Sequence, residues 1–374
     1  MKKVLFVATV VKTHIMEFHI PYLKMFKEMG WETAVAARND YENPADCIIP
    51  YCDSYYNVPF ERNPLKPGNL KAYKELKHII DEGEYDIIHC HTPVGAMLTR
   101  LAAKQARKRG TKVFYTAHGF HFYKGAPAIN WILYYPVEKW LSRYTDVLIT
   151  INKEDFEQAK TFKAGKVCYV PGVGIDLKKF QTNPIIRNEK RRWLCHEYDI
   201  PSSATVLLSV GEVNKNKNHR VVIEALGQLN RKDIYYVICG RGPLLDEYKE
   251  LSRQYKIEEQ VILTGYRTDV ADFYKAADVF VFPSFREGLP VAVMEAMASG
   301  LPVITTRIRG SSDLVTEGEN GLLVQPKDVA GFCNAINQYA NVLKREMTAK
   351  KNIEKANEYD LKHILQIYYG FYFE

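Results

Sequence analysis

The sequence of 374 residues lacks several features that would place it outside the class of soluble globular proteins. No run of about 18 apolar residues is present, so we expect no membrane-spanning helix. Internal repeats and low-complexity segments are absent. The apolar run Val4–Val11 after Met1-Lys2-Lys3 is short and has no small-residue cleavage site, so it is not expected to be a secretory signal peptide.

The cysteines do not form a recognisable pattern. There are seven of them, an odd number without regular spacing, and no C-x-x-C pair occurs. This pattern argues against both a disulfide framework and a zinc site of the C-x-x-C type. The simplest compartment is a reducing cytosol, and we therefore expect a cytoplasmic protein.

Composition and length point to a soluble protein of ordinary kind. Hydrophobic residues make up 47% and charged residues 25% of the chain, and 374 residues suffice for two domains. The formal net charge of +7 favours phosphates, nucleic acid or an anionic membrane surface without choosing among them.

The most informative stretch runs from residue 278 to residue 305. The apolar run 278–282 predicts a buried strand, and the helical spacing after Pro290 predicts a helix that ends near Gly300. Two carboxylates, Glu287 and Glu295, lie before and inside this helix. The flexible Gly288 and the free N–H groups of the helix start suit an anionic ligand. Taken singly, Glu287 is more simply an ordinary cap carboxylate, and Glu295 is more simply a solvated helix residue.

The whole string is more specific than either glutamate. It consists of Glu-Gly-Leu-Pro, a second Glu eight positions after the first, and then Ala-Met-Ala-Ser-Gly-Leu-Pro-Val. This string resembles the signature of retaining GT-B glycosyltransferases of family 4, also called group 1. The resemblance implies that Glu287 meets the donor sugar and that Glu295 holds the ribose hydroxyls of the nucleotide. It also implies that the backbone of four residues faces the sugar and the diphosphate: Gly288, Leu289, Pro290 and Val291.

A second informative string, Thr116 to Gly125, follows a predicted strand. It contains two histidines, a glycine, aromatic residues and a lysine at the position where open α/β sheets bind ligands. The resemblance implies that His118 faces the donor sugar. A metal held by His118 and His121 is an alternative, but no carboxylate accompanies them locally, and we expect no metal site.

The resemblance places the acceptor on the first domain. In the first loop the chain has Thr9-Val10-Val11-Lys12 where many family members carry a glycine pair, so side chains replace a close backbone approach there. The candidate acceptor-side residues are Thr9, His14, His91, His121 and Lys124.

The loop after the predicted strand 205–210 departs from the family pattern. Lys217 matches the lysine that holds the diphosphate, but Glu212 stands where the family has arginine. We expect Glu212 to turn away or to pair with Lys215 or Arg241. Arg241 is the leading candidate for the second base, and Lys215 is the alternative.

The nucleotide base is expected to pack on the loop that contains Tyr266 and Arg267, as in the family. Because Lys217, a second base and the helix amides would stabilise the leaving diphosphate, and because no Asp-x-Asp motif occurs, we expect metal-independent transfer and no cofactor.

Two segments of the first half have two readings each. The basic string 104–109 either caps a helix or contacts an anionic membrane. The aromatic segment 131–141, with a break or kink expected at Pro136, belongs either to the core or to an interfacial, lipid-acceptor surface.

The resemblance implies two Rossmann-like, doubly wound α/β domains that face each other across a cleft. We predict an acceptor-binding domain at 1–176, a linker at 177–203, a nucleotide-sugar domain at 204–355, and a final helix at 356–374 that returns to the first domain.

The predicted function is retaining transfer from a UDP-sugar to a glycan or lipid-diphosphate-linked acceptor, similar to bacterial capsule and exopolysaccharide transferases. An anionic membrane at the inner face of the plasma membrane is an expected partner, and nucleic acid is not. The alternatives are a GT-B UDP-N-acetylhexosamine epimerase, which converts donor without acceptor, and a two-lobed binding protein without turnover.

Overall fold

The computed structural model describes all 374 residues and divides them into two compact units. Unit 1 comprises Met1–Val173 and Leu365–Glu374, and unit 2 comprises Gly174–Ile364. Each unit contains one parallel sheet with helices, so the predicted α/β class with two doubly wound domains is confirmed.

Unit 1 contains a seven-stranded sheet in the order β3-β2-β1-β4-β5-β6-β7, with all neighbours parallel. Its strands are β1 Lys3–Val10, β2 Glu32–Arg38, β3 Ser54–Asn57, β4 Ile87–His91, β5 Lys112–Ala117, β6 Val147–Thr150 and β7 Lys166–Tyr169. Its helices are a π-helical turn Val11–Ile15, α1 Met16–Phe18, α2 Ile20–Glu28, α3 Gly68–Gly83, α4 Pro93–Ala102, α5 Lys104–Lys108, α6 Ala128–Leu141 and α7 Lys153–Ala159.

Unit 2 contains a six-stranded sheet in the order β10-β9-β8-β11-β12-β13, again all parallel. Its strands are β8 Thr205–Val210, β9 Ile234–Cys239, β10 Val261–Gly265, β11 Val279–Phe282, β12 Val303–Thr306 and β13 Gly321–Val324. Its helices are α8 Leu177–Phe180, α9 Pro184–Glu197, α10 Arg220–Leu229, α11 Leu245–Gln254, α12 Val270–Ala276, α13 Val291–Ala298, α14 Ser311–Leu314, α15 Val329–Gln338 and α16 Val342–Ala356. The final helix, α17 Leu361–Phe373, begins in unit 2 and continues into unit 1.

The central strands are buried on both faces, which explains their continuous apolar sequences. Seven of the eight residues of β1 are buried, as are all residues of β4 and β11. In each sheet the strand order reverses beside the first strand of the unit, between β1 and β4 in unit 1 and between β8 and β11 in unit 2. Ligands of open parallel sheets bind outside the carboxyl ends of the strands at such a point.

The region 177–203 is a part of unit 2 and not the predicted linker. It forms α8 and α9, and Asn183 caps α9 by accepting a hydrogen bond from the backbone of Ile186. Arg187 donates to the backbone oxygen of Ala277 at 2.9 Å, and Arg191 pairs with Asp278 at 3.0 Å. These contacts tie α9 to the edge of the unit 2 core.

Three further features of unit 1 concern its helices. The segment after β1 forms a π-helical turn, Val11–Ile15, and Ala103 separates α4 from α5. The aromatic helix α6 contains Pro136 and is not broken there, so the expectation of a break is wrong.

Candidate active site

In unit 2, two loops meet where β8 and β11 end side by side. The loop after β8 carries Lys217, and the loop after β11 carries Glu287. Lys217 Nζ lies 2.7 Å from Glu287 Oε1, and the two side chains are only 21% and 15% exposed. Their charges offset each other in this state. A diphosphate carries more negative charge than one carboxylate, so its arrival would give Lys217 a stronger partner and release Glu287 for sugar hydroxyls.

The two loops are fixed to each other through asparagine side chains. The backbone N–H of Phe285 donates to Asn216 O at 2.8 Å, and Asn216 Nδ2 donates to Arg286 O at 3.0 Å. Asn218 adopts a left-handed backbone (φ 54°) and donates to Pro283 O at 3.0 Å. Asparagine tolerates this conformation better than most residues. The position of Lys217 is therefore set by the backbone of the facing loop.

A third loop supports the stretch that begins at Glu287. Arg309 Nε donates to the backbone oxygen of Glu287 at 3.3 Å. Gly310 has φ 78°, and a Cβ there would lie 2.2 Å from Gly288 O, so only glycine fits. Arg309 is a functional candidate that the sequence analysis did not select.

Glu295 lies on α13 and is oriented by a buried phenol. Tyr274 Oη donates to Glu295 Oε2 at 2.9 Å, and Tyr274 is fully buried on α12. Burial and the neighbouring Glu295 carboxylate raise the pKa of Tyr274 well above its usual value, so the phenol keeps its proton and remains a donor. The free amides at the start of α13 follow Gly288, Leu289 and Pro290, with Val291 as the first helical residue.

The remaining donor-side candidates, Arg241 and Arg267, differ in whether a carboxylate already binds their charge. Arg241 is exposed and lies over the ring of Tyr266 at 5.2 Å, whereas Arg267 is bound by both oxygens of Asp269 at 2.8 and 2.6 Å. Arg241 is thus the more available base. Of the two alternatives for Glu212, the pairing with Lys215 or Arg241 is wrong. Its carboxylate instead accepts a hydrogen bond from Asn214 at 2.9 Å.

In unit 1, a cavity of about 810 Å³ opens at the carboxyl ends of β1 and β4. Its wall includes three of the predicted acceptor-side residues, Thr9, His14 and His121. The other two predicted residues, His91 and Lys124, do not line it. Much of the lining is apolar and comes from positions that the sequence interpretation did not select: Leu65, Val94, Met97, Leu133 and Val137.

Thr9 and Lys124 are engaged in local contacts. Thr9 Oγ1 lies 2.6 Å from Thr92 Oγ1, which connects the ends of β1 and β4. The backbone N–H of Lys124 donates to Glu154 Oε1 at 2.6 Å, and the residue is exposed and does not line the cavity.

His118 lies among other histidines. One ring nitrogen from each of His14, His19, His91 and His118 lies within 4.8 Å of the others. Burial lowers the pKa of His118 to about 4 and the pKa of His91 well below its usual value, so these imidazoles are neutral at pH 7. His121, the expected partner of His118, instead packs on Tyr134 with ring centroids 4.7 Å apart.

The basic string after α4 is only partly available to a membrane. Arg107 binds both carboxylate oxygens of Asp146 at 3.0 and 2.8 Å. Arg100, just before the string, is fully buried, pairs with Glu138 at 2.9 Å and lies 4.2 Å over Tyr115. Lys108 and Arg109 are exposed. Arg100 and Arg107 thus bind carboxylates of unit 1 and are neither helix caps nor free surface charges. Contact with an anionic membrane stays a prediction for the exposed Lys108 and Arg109.

Helix α6 presents two different faces. Trp131, Tyr134 and Tyr135 pack against the unit 1 core. The other face is apolar yet exposed, with fractions between 42% and 67%, at Ile129, Ile132, Leu133, Val137 and Trp140. One face of α6 thus belongs to the core, and the other face is an exposed apolar surface, as the interfacial alternative requires. None of the helices is both long enough and apolar enough to cross a membrane.

Comparison with known proteins places these features in a family. The model described as "Glycosyl transferases group 1" matches residues 194–357, and the model "Glycosyl transferase 4-like" matches residues 3–152. The Bacillus subtilis protein named putative glycosyltransferase EpsD is 44% identical over 90% of this chain and 87% of its own length.

A second relative and one solved structure extend the comparison. An Escherichia coli UDP-Gal:alpha-D-GlcNAc-diphosphoundecaprenol alpha-1,3-galactosyltransferase is 30% identical over 74% of this chain and 71% of its own length. The structure of Anabaena HepE with UDP and glucose superposes with a TM-score of 0.80 over 99% of both chains at 18% identity, which shows the shared GT-B fold. The chain therefore belongs to the group 1 glycosyltransferases.

Proposed function

We propose that this glycosyltransferase transfers a hexose, with retention of anomeric configuration, from a UDP-sugar to a glycan on a lipid diphosphate during synthesis of a bacterial surface polysaccharide. The observation that carries the proposal is the Lys217–Glu287 pair at 2.7 Å, fixed at the strand-order reversal of unit 2 beside a free helix start. The names of the E. coli relative and of the HepE complex support UDP as the nucleotide.

Different donor-side residues bind different parts of the nucleotide sugar. Lys217 and the amides that follow Glu287 stabilise the charge that grows on the leaving diphosphate, with Arg241 as the second base. Glu295, oriented by Tyr274, accepts the two ribose hydroxyls. Glu287 contacts the donor sugar. No metal is required at the diphosphate, because cationic side chains and amides supply its compensation.

The transfer step needs no separate enzymatic base. The bond between the sugar carbon and the UDP oxygen breaks, and the acceptor oxygen forms a bond to the same carbon on the same face. The acceptor hydroxyl passes its proton to the leaving phosphate oxygen. Retention follows because the acceptor attacks from the side that the diphosphate leaves.

The acceptor side is assigned to unit 1. Its cavity of about 810 Å³ is lined by apolar residues together with Thr9, His14 and His121, a combination that suits a sugar ring and part of a lipid chain. The exposed apolar face of α6 borders this cavity through Leu133 and Val137. Exposed bases near α5 add attraction to anionic lipid, which supports a peripheral position at the inner face of the plasma membrane.

The test is nucleotide release from a panel of nucleotide sugars, with and without undecaprenyl-diphosphate-linked N-acetylglucosamine. We expect release of UDP, from a UDP-sugar, that depends on the acceptor, and a product with the donor's anomeric configuration by NMR. Interconversion of the donor without acceptor would indicate an epimerase. Donor binding without any turnover would indicate a binding protein. Either outcome would overturn the proposal.

A further inference from the structure

The histidines at the carboxyl ends of β1, β4 and β5 form a cluster that the proposed transfer does not explain. His14 lies in the π-helical turn after β1, and His19 lies at the start of α2. His91 ends β4, and His118 directly follows β5. The three strands are neighbours in the sheet, so their ends bring these four side chains together. π-Helical turns occur frequently at functional sites.

Four buried nitrogens of this cluster are unpartnered, whereas His91 Nδ1 and His118 Nε2 lie within hydrogen-bonding distance of each other. His14 Nε2, His91 Nε2 and both ring nitrogens of His19 have no hydrogen-bond partner. A buried polar group without a partner costs roughly 1–3 kcal/mol, so several in one place require an explanation. The adjacent His89 provides the contrast. It is equally buried, yet its two nitrogens are bonded to Tyr372 Oη at 2.5 Å and Thr116 Oγ1 at 2.8 Å.

The spacing of the nitrogens fits a small cation. Two nitrogens at about 2.0–2.1 Å from a tetrahedral zinc ion lie roughly 3.3 Å apart. His91 Nδ1 and His118 Nε2 are separated by 3.3 Å. The four nitrogens all lie within 4.8 Å of one another. Side-chain rotations that shorten the longest nitrogen–nitrogen distance by about 1.5 Å would therefore give the tetrahedral spacing.

The donor set selects the class of metal. Four neutral imidazoles and no carboxylate suit zinc and related transition metals, whereas magnesium, calcium and manganese prefer oxygen ligands. We propose that His14, His19, His91 and His118 bind one Zn²⁺ ion in unit 1. The sequence-based expectation of no metal considered only His118 with His121 and did not include His19.

Four protein ligands leave a tetrahedral ion no open position, so the zinc has a structural role. It holds the π-helical turn and the start of α2 against the ends of β4 and β5. His14 also lines the cavity, and the ion therefore fixes one wall of the acceptor site. The zinc binding itself does not depend on the proposed transfer reaction.

The test uses the full chain, purified without an affinity tag and without immobilised metal. Zinc content after dialysis is measured by mass spectrometry, and Zn²⁺ is then titrated into chelator-treated protein. We expect one zinc per chain and a higher Tm with Zn²⁺. Substituting Co²⁺ should give the visible absorption of a tetrahedral nitrogen site. His19→Gln and His91→Gln should each weaken zinc binding about a hundredfold or more, since even residues that only support ligands contribute 10- to 100-fold.

Two histidine controls separate ligation from general effects. His78→Gln changes an exposed histidine on α3, and His89→Gln changes a buried neighbour whose nitrogens are already bonded. Both should keep the zinc. If His19→Gln fails to fold, His14→Gln at the half-buried edge of the cluster replaces it. A wild-type protein that neither contains nor binds zinc, or equal loss in His78→Gln and the ligand variants, would overturn the proposal.

Discussion

The side chains at the two strand-order reversals of this chain differ in charge and polarity. In unit 2 the loops at β8 and β11 present charged side chains, Lys217 and Glu287, held 2.7 Å apart. In unit 1 the ends of β1 and β4 present hydroxyls, neutral histidines and an apolar cavity. A nucleoside diphosphate requires compensation of charge, and a lipid-linked glycan requires apolar surface with hydroxyl partners. The contrast supports assigning the donor to unit 2 and the acceptor to unit 1.

The largest effect is expected from removing the charge at the unit 2 reversal. Lys217→Ala should lower kcat by about 10²–10³-fold, the usual cost of losing one donor to a developing anion. Lys249→Ala is the control, since it removes an exposed lysine on α11 that has no assigned role in the site. Steady-state UDP release measures both. A kcat for Lys217→Ala close to that of Lys249→Ala would refute the diphosphate role.

The next effect concerns nucleotide binding on the same side. Glu295→Gln should weaken UDP binding by roughly ten- to a hundredfold, because charge-assisted hydrogen bonds contribute about 1.5–3 kcal/mol. Tyr274→Phe is the companion variant: it keeps the carboxylate but removes the 2.9 Å hydrogen bond that orients it, so its effect should be smaller. Calorimetry provides both affinities. Unchanged affinity in Glu295→Gln would contradict the ribose assignment.

A smaller effect is expected at the surface of unit 1 that we propose faces the membrane. Lys108→Gln should weaken binding to anionic vesicles about fivefold, since one base near such a surface contributes about 1 kcal/mol. Lys74→Gln, an exposed lysine on α3, should leave binding unchanged. Sedimentation at low and high salt checks this. Wild-type protein that never sediments with anionic vesicles would show that the peripheral placement is wrong.

No effect is expected from added hard metal ions. Because Lys217 and the amides after Glu287 compensate the diphosphate, Mg²⁺ or Mn²⁺ should leave the transfer rate unchanged. Assays use protein with its histidine cluster loaded with Zn²⁺, so that the structural ion is constant. Activity that requires Mn²⁺ under these conditions would show that the diphosphate is bound through a metal.

The sequence was most informative where strands are buried on both faces. β11 and most of β1 are continuous apolar runs that could be located from composition alone, and β4 begins with the apolar pair Ile87-Ile88. The edge strand β3 was not predicted, since Ser54–Asn57 is half exposed and has no apolar run. The helix α9 was read as linker because its apolar positions are sparse, and its anchoring depends on arginines that bind backbone oxygens of unit 2.

The site was predictable to a different extent in the two units. Lys217, Glu287 and Glu295 belong to short motifs, so their positions could be found from spacing. His19 and Met97 carry no local signal, because their neighbours come from distant strands and helices. Arg100 lies close to the basic string 104–109, yet it is buried with its partner Glu138, 38 positions away. Such pairs become visible only when the fold brings them together.

The most direct test of the division between units is amide hydrogen exchange of the full chain with and without UDP. We expect protection at residues 211–218 and 287–295 of unit 2, and no change at the cavity residues 9–14 and 92–97 of unit 1. Protection confined to the unit 1 loops, with the amides after Glu287 unchanged, would contradict the assignment of the nucleotide to unit 2.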